Sequence, residues 1–437
     1  MCGSQRLITS HKYFQQRTST LNILKDNSSR RVQILYSRES ARKSDGGATI
    51  PSKRGITILG DDSKSLKIHH LVKAPANTPW AKERQQSWDA SFPATVYSTP
   101  EMTIDGTPCS AVTVILRTKG CHWWWSSGCT FCGYFNDTRD DVTSADLHSQ
   151  WEHAKKKFNN FEGHSMVKVY TSGSLLEDRE IPVDFQETVL RDCFELGKEL
   201  IVESRTEQIT EAKLAWATAI NPNFTVAIGL EAYDDEVLRF HVNKGFTAAS
   251  WDRAVERLQK YNLRIKTYLM FKPPFMSEAD ALDHCVRWIE AVAEQSHEIS
   301  INPMNIQRGT VIDRLHRHRE YRPPWLWSLV ELIQISHRIV HPNGGKNGDD
   351  DQVSRLIIHP TAGGKIRGSH NCGQCDSEVV AAIERYAVSG SLDEFNGLDC
   401  ECKKRWNQEL TNDRAIPVPL GTSIPRRGLL SEVLRSP

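Results

Sequence analysis

Short apolar runs alternate with longer amphipathic segments through the middle of the chain. Residues 111–116 (AVTVIL) and 166–170 (MVKVY) have the length and β-branched content of buried strands. Similar runs lie at 199–203, 225–230, 264–270 and 298–303, and helical patterns separate them at 144–158, 183–196, 210–219 and 277–294. Such alternation predicts βαβ units around a parallel sheet, so we expect an α/β fold of the (β/α)6-type partial TIM-barrel class.

Polar, glycine-containing motifs follow four of these predicted strands. A cysteine loop follows the first strand, and the others are Ser172-Gly173-Ser174, Glu203-Ser204-Arg205 and Gly229-Leu230-Glu231. Because parallel barrels carry their chemistry at the carboxyl ends of the strands, these motifs are predicted to surround one site.

Composition and charge limit the class of protein to which the chain can belong. Its 437 residues are 39% apolar and 25% charged, as in a globular protein with a buried core. No run approaches the ~20 apolar residues of a membrane helix, and the start lacks the apolar stretch of a secretory signal. We therefore expect a cytoplasmic protein without membrane association.

Four regions are predicted along the chain. They are a disordered basic arm (1–75), a partial barrel (76–325), a C-terminal accessory region with a metal knuckle (326–410) and a tail (411–437). The arm carries 14 Lys+Arg against 5 Asp+Glu, an excess of +9, so the remainder carries −8 to give the net charge of +1. Transit-peptide character and an over-extended gene start both remain open for this arm.

Three of the eleven cysteines, Cys121, Cys129 and Cys132, form a C-x7-C-x2-C loop after the first strand. Three thiolates hold three irons of a 4Fe–4S cluster and leave the fourth iron open to a small molecule, which is how radical S-adenosylmethionine (SAM) enzymes begin their chemistry. The alternative is a zinc knuckle, for which His122 is the local fourth ligand.

The three strand-end tripeptides predict a cradle for SAM. Ser172, Gly173 and Ser174 would bind the methionyl amine, Glu203 the ribose hydroxyls, and Arg205, next to Ser204, the methionyl carboxylate. Gly229 would admit the adenosyl group beside Glu231. An ordinary strand-end turn is the alternative for any one of these tripeptides.

A second cysteine group lies near the C-terminus. Cys372, Cys375, Cys400 and Cys402 have the C-x2-C…C-x-C spacing of a tetrahedral zinc site, with His370 as a possible alternative ligand. A second iron–sulfur cluster is the rival interpretation. A structural zinc is favoured because a small knuckle needs a metal to fold.

A basic segment with two histidines, Leu315-His316-Arg317-His318-Arg319, lies between predicted helices. It is interpreted either as a phosphate-contacting patch or as a solvated basic face. The residues alone favour neither.

Together these motifs resemble the archaeosine-forming radical SAM proteins, the partner subunit of archaeosine synthase. The resemblance rests on residues 115–137 (ILRTKGCHWWWSSGCTFCGYFND) and on the matching segments 170–182, 202–209, 227–238, 243–246, 301–310 and 370–379. Elp3-type radical SAM proteins are similar at a greater distance.

The resemblance implies a substrate and partners. The substrate would be tRNA whose D-loop carries a 7-deazaguanine with lysine attached, and radical cleavage of a C–N bond would leave archaeosine. Cys121, Cys129 and Cys132 would ligate the cluster, and an external electron donor would reduce it. A lysine-transferring archaeosine synthase subunit would complete a hetero-oligomer. Another radical SAM enzyme, Elp3-like or transferring sulfur or methyl groups to RNA, and a non-catalytic iron–sulfur scaffold that binds RNA are the alternatives.

Overall fold

The computed structural model describes residues 79–103, 106–341 and 355–415, with Val72 and a two-residue strand pair, Gln33–Ile34 and Ile58–Leu59. Nearly all of the predicted basic arm lies outside the described residues. So does the predicted tail beyond Ala415.

Eight strands of the described chain form one sheet. In chain order they are β1 (Thr95–Met102), β2 (Pro108–Ile115), β3 (Met166–Tyr170), β4 (Glu199–Glu203), β5 (Phe224–Glu231), β6 (Arg264–Phe271), β7 (Glu298–Pro303) and β8 (Arg355–Ile358). Each strand pairs with its neighbours in sequence, and of these pairs only β1–β2 is antiparallel.

Helices precede, connect and follow the strands. They are α1 (Pro79–Gln86), α2 (His122–Ser126), α3 (Ser144–Lys157), α4 (Val183–Glu195), α5 (Glu211–Ile220), α6 (Ala248–Lys260), α7 (Glu278–Val292), α8 (Val311–Arg317), α9 (Leu326–Val340), α10 (Asp376–Ser389) and α11 (Cys402–Ala415). Helices α2 to α9 connect the parallel strands, as the amphipathic segments predicted, whereas α1 precedes β1 and α10 and α11 follow β8. A shorter helical segment, Asp235–Val237 followed by π-helical Leu238–Val242, lies between β5 and α6.

The parallel strands are apolar on both faces, which explains why they appear in the sequence as continuous apolar runs. Alternate side chains, such as Val112, Val167 and Val226, belong to the large core beneath the helices. The intervening side chains, including Ala111 and Met166, form a separate cluster on the inner face. Burial on both faces fixes the register of each strand, since a slip of one residue would exchange the two layers.

The sheet curls until its two edge strands meet. Arg355, the first residue of β8, donates from Nη1 to the carbonyl oxygen of Met102, the last residue of β1, at 3.1 Å. Its guanidinium also lies 3.1 Å from a carboxylate oxygen of Glu298 and 3.5 Å from one of Glu101. These contacts lie at the amino ends of the parallel strands, so the sheet is joined at that end of the barrel.

The predicted partial barrel is confirmed and is larger than expected. All six predicted parallel strands are present, and two edge strands extend the sheet. One of these, β8, lies in the predicted accessory region (326–410) and pairs with β7. β1 was missed because Pro100 and alternating polar residues hide it in the sequence. The boundary at residue 325 stays a prediction.

Among the described helices, none has the length and apolar character needed to cross a bilayer. The two longest, α7 and α9, have 15 residues each.

Candidate functional site

The loop carrying Cys121, Cys129 and Cys132 leaves the carboxyl end of β2. Thr118 and Thr138 form a β-bridge that closes its two ends. Within it, Trp124 stacks on Phe135 with ring centroids 4.1 Å apart. The tryptophan-rich sequence therefore gives the loop its own small apolar core, which holds the cysteines in place.

A second segment, residues 238–246, holds this loop from the β5 side. Trp123 Nε1 donates to the carbonyl oxygen of Asn243 at 2.7 Å, and Thr130 Oγ1 donates to that of His241 at 2.5 Å. A Cβ on Gly245 would lie 2.6 Å from the Trp123 ring, so only glycine fits there. The loop is thus fixed between two strand ends.

The three cysteines are half-buried. Burial raises the pKa of Cys121 to about 11 and also raises the pKa values of Cys129 and Cys132. The neighbouring Cys129 raises the pKa values of Cys121 and Cys132 further. Arg205 and Lys244 act in the opposite direction on Cys129. Three adjacent thiols with two cations beside them fit a group that binds thiolates and carries net negative charge, as a 4Fe–4S cluster does.

His122, the possible fourth ligand of a zinc knuckle, has both ring nitrogens close to carboxylates. Its Nδ1 lies 3.0 Å from Glu177 Oε2, and its Nε2 lies 3.4 Å from Glu207 Oε1. Both ring nitrogens are therefore engaged by carboxylates, which disfavours the zinc-knuckle alternative.

The turn Ser172-Gly173-Ser174 packs directly on the cysteine loop. A Cβ on Gly173 would lie 2.8 Å from Cys121 Cβ and 2.9 Å from its Cα, so the turn needs glycine at this position. The buried Glu180 carboxylate accepts from Ser172 N at 3.0 Å, Ser174 N at 2.8 Å and Thr118 Oγ1 at 2.6 Å. Burial raises the pKa of Glu180 to about 7.

The Glu203-Ser204-Arg205 segment joins this turn from β4. Arg205 N donates to Ser174 Oγ at 2.9 Å, and Ser204 Oγ donates to the Arg205 carbonyl oxygen at 3.1 Å. Both hydroxyls therefore order the backbone. Burial raises the pKa of Glu203 to about 8.

Arg205 is buried between two elements of the site. Its guanidinium donates to Glu207 Oε1 at 2.7 Å and to the carbonyl oxygen of Lys244 at 3.0 Å. It also lies over the rings of Trp123 and Phe246. Arg205 thereby joins the cysteine loop to the 238–246 segment.

The Gly229-Leu230-Glu231 segment forms a bulge at the end of β5. Glu231 has φ +70°, and its carboxylate lies 3.0 Å from Lys244 Nζ, with both side chains buried. A Cβ on Gly229 would lie 2.8 Å from Glu231 Oε1 and 3.0 Å from that Nζ. Gly229 thus leaves room for the ion pair, and its predicted role toward an adenosyl group stays a prediction.

The structure brings the four C-terminal cysteines together. The Sγ of Cys372 lies 4.0 Å from that of Cys375 and 3.7 Å from that of Cys400, and the Sγ atoms of Cys375 and Cys402 are 3.6 Å apart. All four lie within 4.8 Å of one another. His370 is outside this group, and its Nδ1 lies 2.8 Å from the Gly368 carbonyl oxygen.

Comparison with known proteins places the chain in a family. The archaeosine synthase subunit beta of Methanosarcina acetivorans is 34% identical over 312 residues, which span 70% of this chain and 87% of that protein. The chain belongs to the archaeosine synthase subunit beta family. The protein of the same name from Thermococcus kodakarensis is 32% identical over 72% of this chain and 96% of its own length. No family model matches the chain.

Solved structures similar to this archaeosine synthase subunit beta homologue have lower sequence identity to it than the two relatives above. An archaeal Elp3 from Methanocaldococcus infernus has a TM-score of 0.41 and 15% identity, covering 59% of this chain and 60% of that one. Methylornithine synthase has a TM-score of 0.39 and 14% identity, covering 67% and 77%. These likenesses add nothing to what the sheet and the sequence relatives show.

Several residues of the site in this archaeosine synthase subunit beta homologue were missed from the sequence. Glu180 and Lys244 lie on loops, and nothing in their local sequence shows that they are buried. Tyr170 and Tyr268 lie on the inner face of the sheet, with the Tyr268 hydroxyl donating to Tyr170 Oη at 3.0 Å. The alternation of side chains along β3 and β6 is the one signal that could have placed them there.

Proposed function

We propose that this chain is a radical SAM enzyme that modifies tRNA, converting a lysine-adducted 7-deazaguanine of the D-loop to archaeosine. The observation that carries the proposal is the contact between the cysteine loop and the Ser172-Gly173-Ser174 turn, seen at Gly173 and Cys121. It joins the predicted cluster ligands to the predicted SAM cradle at the carboxyl end of the sheet. Membership of the archaeosine synthase subunit beta family supports the substrate.

Cys121, Cys129 and Cys132 would hold a 4Fe–4S cluster, with SAM bound beside it. When bound, the two groups supply a radical able to abstract hydrogen from an unactivated C–H bond, which no side-chain base can deprotonate. Arg205 and Lys244 would offset the negative charge of the three thiolates, consistent with their effect on the Cys129 pKa.

The remaining side chains would position SAM and limit water access. Glu180 fixes the backbone of the SGS turn through its hydrogen bonds to two serine amides. The ring of Trp123 packs on Gly245 and that of Trp124 on Phe135, and this apolar packing at the cysteine loop would limit side reactions with solvent. The lysyl moiety of the substrate would lose a hydrogen atom, and its C–N bond would then break, so that the lysine carbon chain leaves as an alkene. The nitrogen left on the base, after taking one electron from the external donor and one proton, would complete the formamidine of archaeosine.

Two partners follow from this proposal. A lysine-transferring archaeosine synthase subunit would supply the adducted tRNA, and an external one-electron donor would reduce the cluster.

The test is anaerobic turnover of the iron-loaded chain with its partner subunit, SAM, reductant and lysine-adducted tRNA. We expect 5′-deoxyadenosine and archaeosine to form together. Cys129→Ala should abolish both, whereas Cys193→Ala, at a buried cysteine in the main core, should retain both. 5′-Deoxyadenosine without archaeosine would indicate another radical SAM reaction, and neither product from the iron-loaded wild type would support a non-catalytic scaffold.

We also propose that the C-terminal cysteines hold one zinc ion. With Zn–S bonds of about 2.3 Å, the sulfurs of a tetrahedral site are about 3.8 Å apart, and the observed contacts are 3.6, 3.7 and 4.0 Å. Ligands of a four-iron cluster each bind a different iron and must lie further apart, which disfavours a second cluster. Trp327 Nε1 and Asn371 Nδ2 donate to the sulfurs of Cys402 and Cys375, as outer hydrogen bonds of a metal site do.

A further inference from the structure

The helix α8 connects the cysteine loop to a group of surface cations. Val311 N, in its first turn, donates to the carbonyl oxygen of Thr130 at 3.1 Å, and Thr130 lies between two of the cluster cysteines. Just before the helix, Gln307 Oε1 accepts from Gly133 N at 2.7 Å. A helix of this length is about 10 Å long, so its basic carboxyl end lies about 10 Å from the cysteine loop.

A buried carboxylate in the first turn of α8, Asp313, organises two arginines from distant parts of the chain. Asp313 Oδ1 accepts from Arg367 Nη2 at 2.8 Å, and Asp313 Oδ2 accepts from Arg317 Nη2 at 3.1 Å. The side chain of Asp313 is 3% exposed, whereas those of Arg317 and Arg367 are 62% and 37% exposed. Two guanidinium groups are therefore held side by side at the surface, sharing one negative charge.

The loop that carries Arg367 is tied to the segment preceding α8. Ile306 N donates to the Arg367 carbonyl oxygen at 2.8 Å, and Arg367 Nε donates to the Ile306 carbonyl oxygen at 3.0 Å. The exposed residues Arg319 and Lys365 each lie two positions from one of the paired arginines. These four cations and Asp313 carry 4 − 1 = +3, on a chain whose residues 76–437 carry −8.

We propose that this α8 basic surface, formed by Arg317, Arg319, Lys365 and Arg367, binds backbone phosphates of the RNA substrate. The inference rests on the proposed function for the substrate class. Guanidinium groups held in a fixed arrangement suit bidentate phosphate contacts better than mobile lysines do. An enzyme that acts on a base must take it out of the stack. With the base inserted at the cysteine loop, the phosphates on either side of that nucleotide would lie near this surface.

The test is the salt dependence of tRNA binding by the iron-loaded chain, measured by fluorescence anisotropy with a labelled tRNA transcript. Removing a phosphate contact lowers the slope of log K against log salt concentration by about 0.7 to 0.9. The double variant Arg317→Ala/Arg367→Ala should therefore lower the slope by about 1.5 and weaken binding most at low salt. The matched control is Lys260→Ala/Lys404→Ala, which removes two exposed lysines on α6 and α11 and should leave the slope unchanged.

A second double variant guards against loss of folding around Asp313. Arg319→Ala/Lys365→Ala leaves the Asp313 pairs intact and should also lower the slope. Unchanged slopes in both double variants would overturn the proposal. So would normal tRNA binding with weakened association of the partner subunit, since the surface would then bind protein.

These results are separable from those of the turnover assay. Archaeosine formation with unchanged slopes would refute the phosphate surface alone, and reduced slopes without archaeosine would refute the proposed reaction alone.

Discussion

Replacing Glu180 by Gln tests whether a single buried carboxylate sets the geometry of the proposed SAM cradle. The carboxylate uses both oxygens as acceptors: Oε1 for Thr118 Oγ1 and Ser172 N, and Oε2 for Ser174 N. An amide offers one oxygen and one NH2 group. Whichever way the glutamine is oriented, its NH2 group faces at least one serine N–H, so one buried donor loses its acceptor.

The expected magnitude follows from that lost hydrogen bond. A buried donor without an acceptor costs about 1–3 kcal/mol, and about 1.4 kcal/mol is tenfold in affinity. If the turn relaxes only when SAM is absent, the Kd for SAM should rise about 5- to 150-fold. The matched control is Asp178→Asn, two positions away with a side chain 58% exposed, for which no change is expected.

The pH dependence of SAM binding tests the same role of Glu180 in a second way. Burial raises the pKa of Glu180 from 4.5 to about 7, so lowering the pH through 7 protonates the carboxyl and turns one acceptor into a donor. SAM binding by the wild type should weaken below pH 7, and binding by Glu180→Gln should lack this component.

As the pH falls below 7, SAM affinity should decrease but the free energy of unfolding should increase. Because the folded pKa lies above the ordinary value, the ionised group costs about 3 kcal/mol of unfolding free energy above pH 7. That cost declines as the pH falls from 7 and is gone below 4.5. Equilibrium dialysis with labelled SAM and chemical denaturation at several pH values measure the two effects. Unchanged SAM affinity in Glu180→Gln would refute the positioning role.

Three further predictions concern other contacts of the site. Gly173→Ala would place a Cβ 2.9 Å from the backbone of Cys121, a proposed cluster ligand, so we expect lower iron retention in an iron assay. Gly163→Ala, where nothing lies within 4 Å, should retain iron, and equal loss in both variants would contradict the contact. Cys402→Ser should remove about one zinc per chain by elemental analysis and lower the Tm, whereas simultaneous loss of iron would contradict two separate metal sites. Lys244→Met leaves the buried Glu231 carboxylate without its ion-pair partner and should lower the free energy of unfolding by about 3–5 kcal/mol. Adding Glu231→Gln should restore part of this free energy. If it restores none, the broken ion pair is not the cause of the loss.

Much of the barrel was predictable because its strands are buried on both faces. Continuous apolar runs such as 166–170 and 199–203 match β3 and β4 in full. β1 was not predictable, since it lies at an edge and contains Pro100 with a largely exposed pattern. The role of β8 as an edge of the same sheet depends on its pairing with β7, which lies more than 50 residues away.

The candidate site divides in the same way. Cys121, Cys129 and Cys132 were predicted as cluster ligands because three closely spaced cysteines directly after a buried strand are typical of such ligands at a barrel mouth, and their role stays a prediction. Glu180, Lys244 and Asp313 were not, since a charged residue on a loop or a short helix is usually solvated and only tertiary packing shows that it is buried.

The sequence by itself determined the order of strands and helices, the cysteines and strand-end motifs, and the family, because periodicity and spacing are local properties of the chain. The tertiary structure decided which carboxylates and cations meet those motifs. In the folded chain the SGS turn contacts Cys121, and the four C-terminal sulfurs lie within 4.8 Å of one another. Two arginines form ion pairs with one aspartate. These are contacts between residues far apart in sequence, and the free energy of burying a charge is set by its neighbours in space and not by its neighbours along the chain.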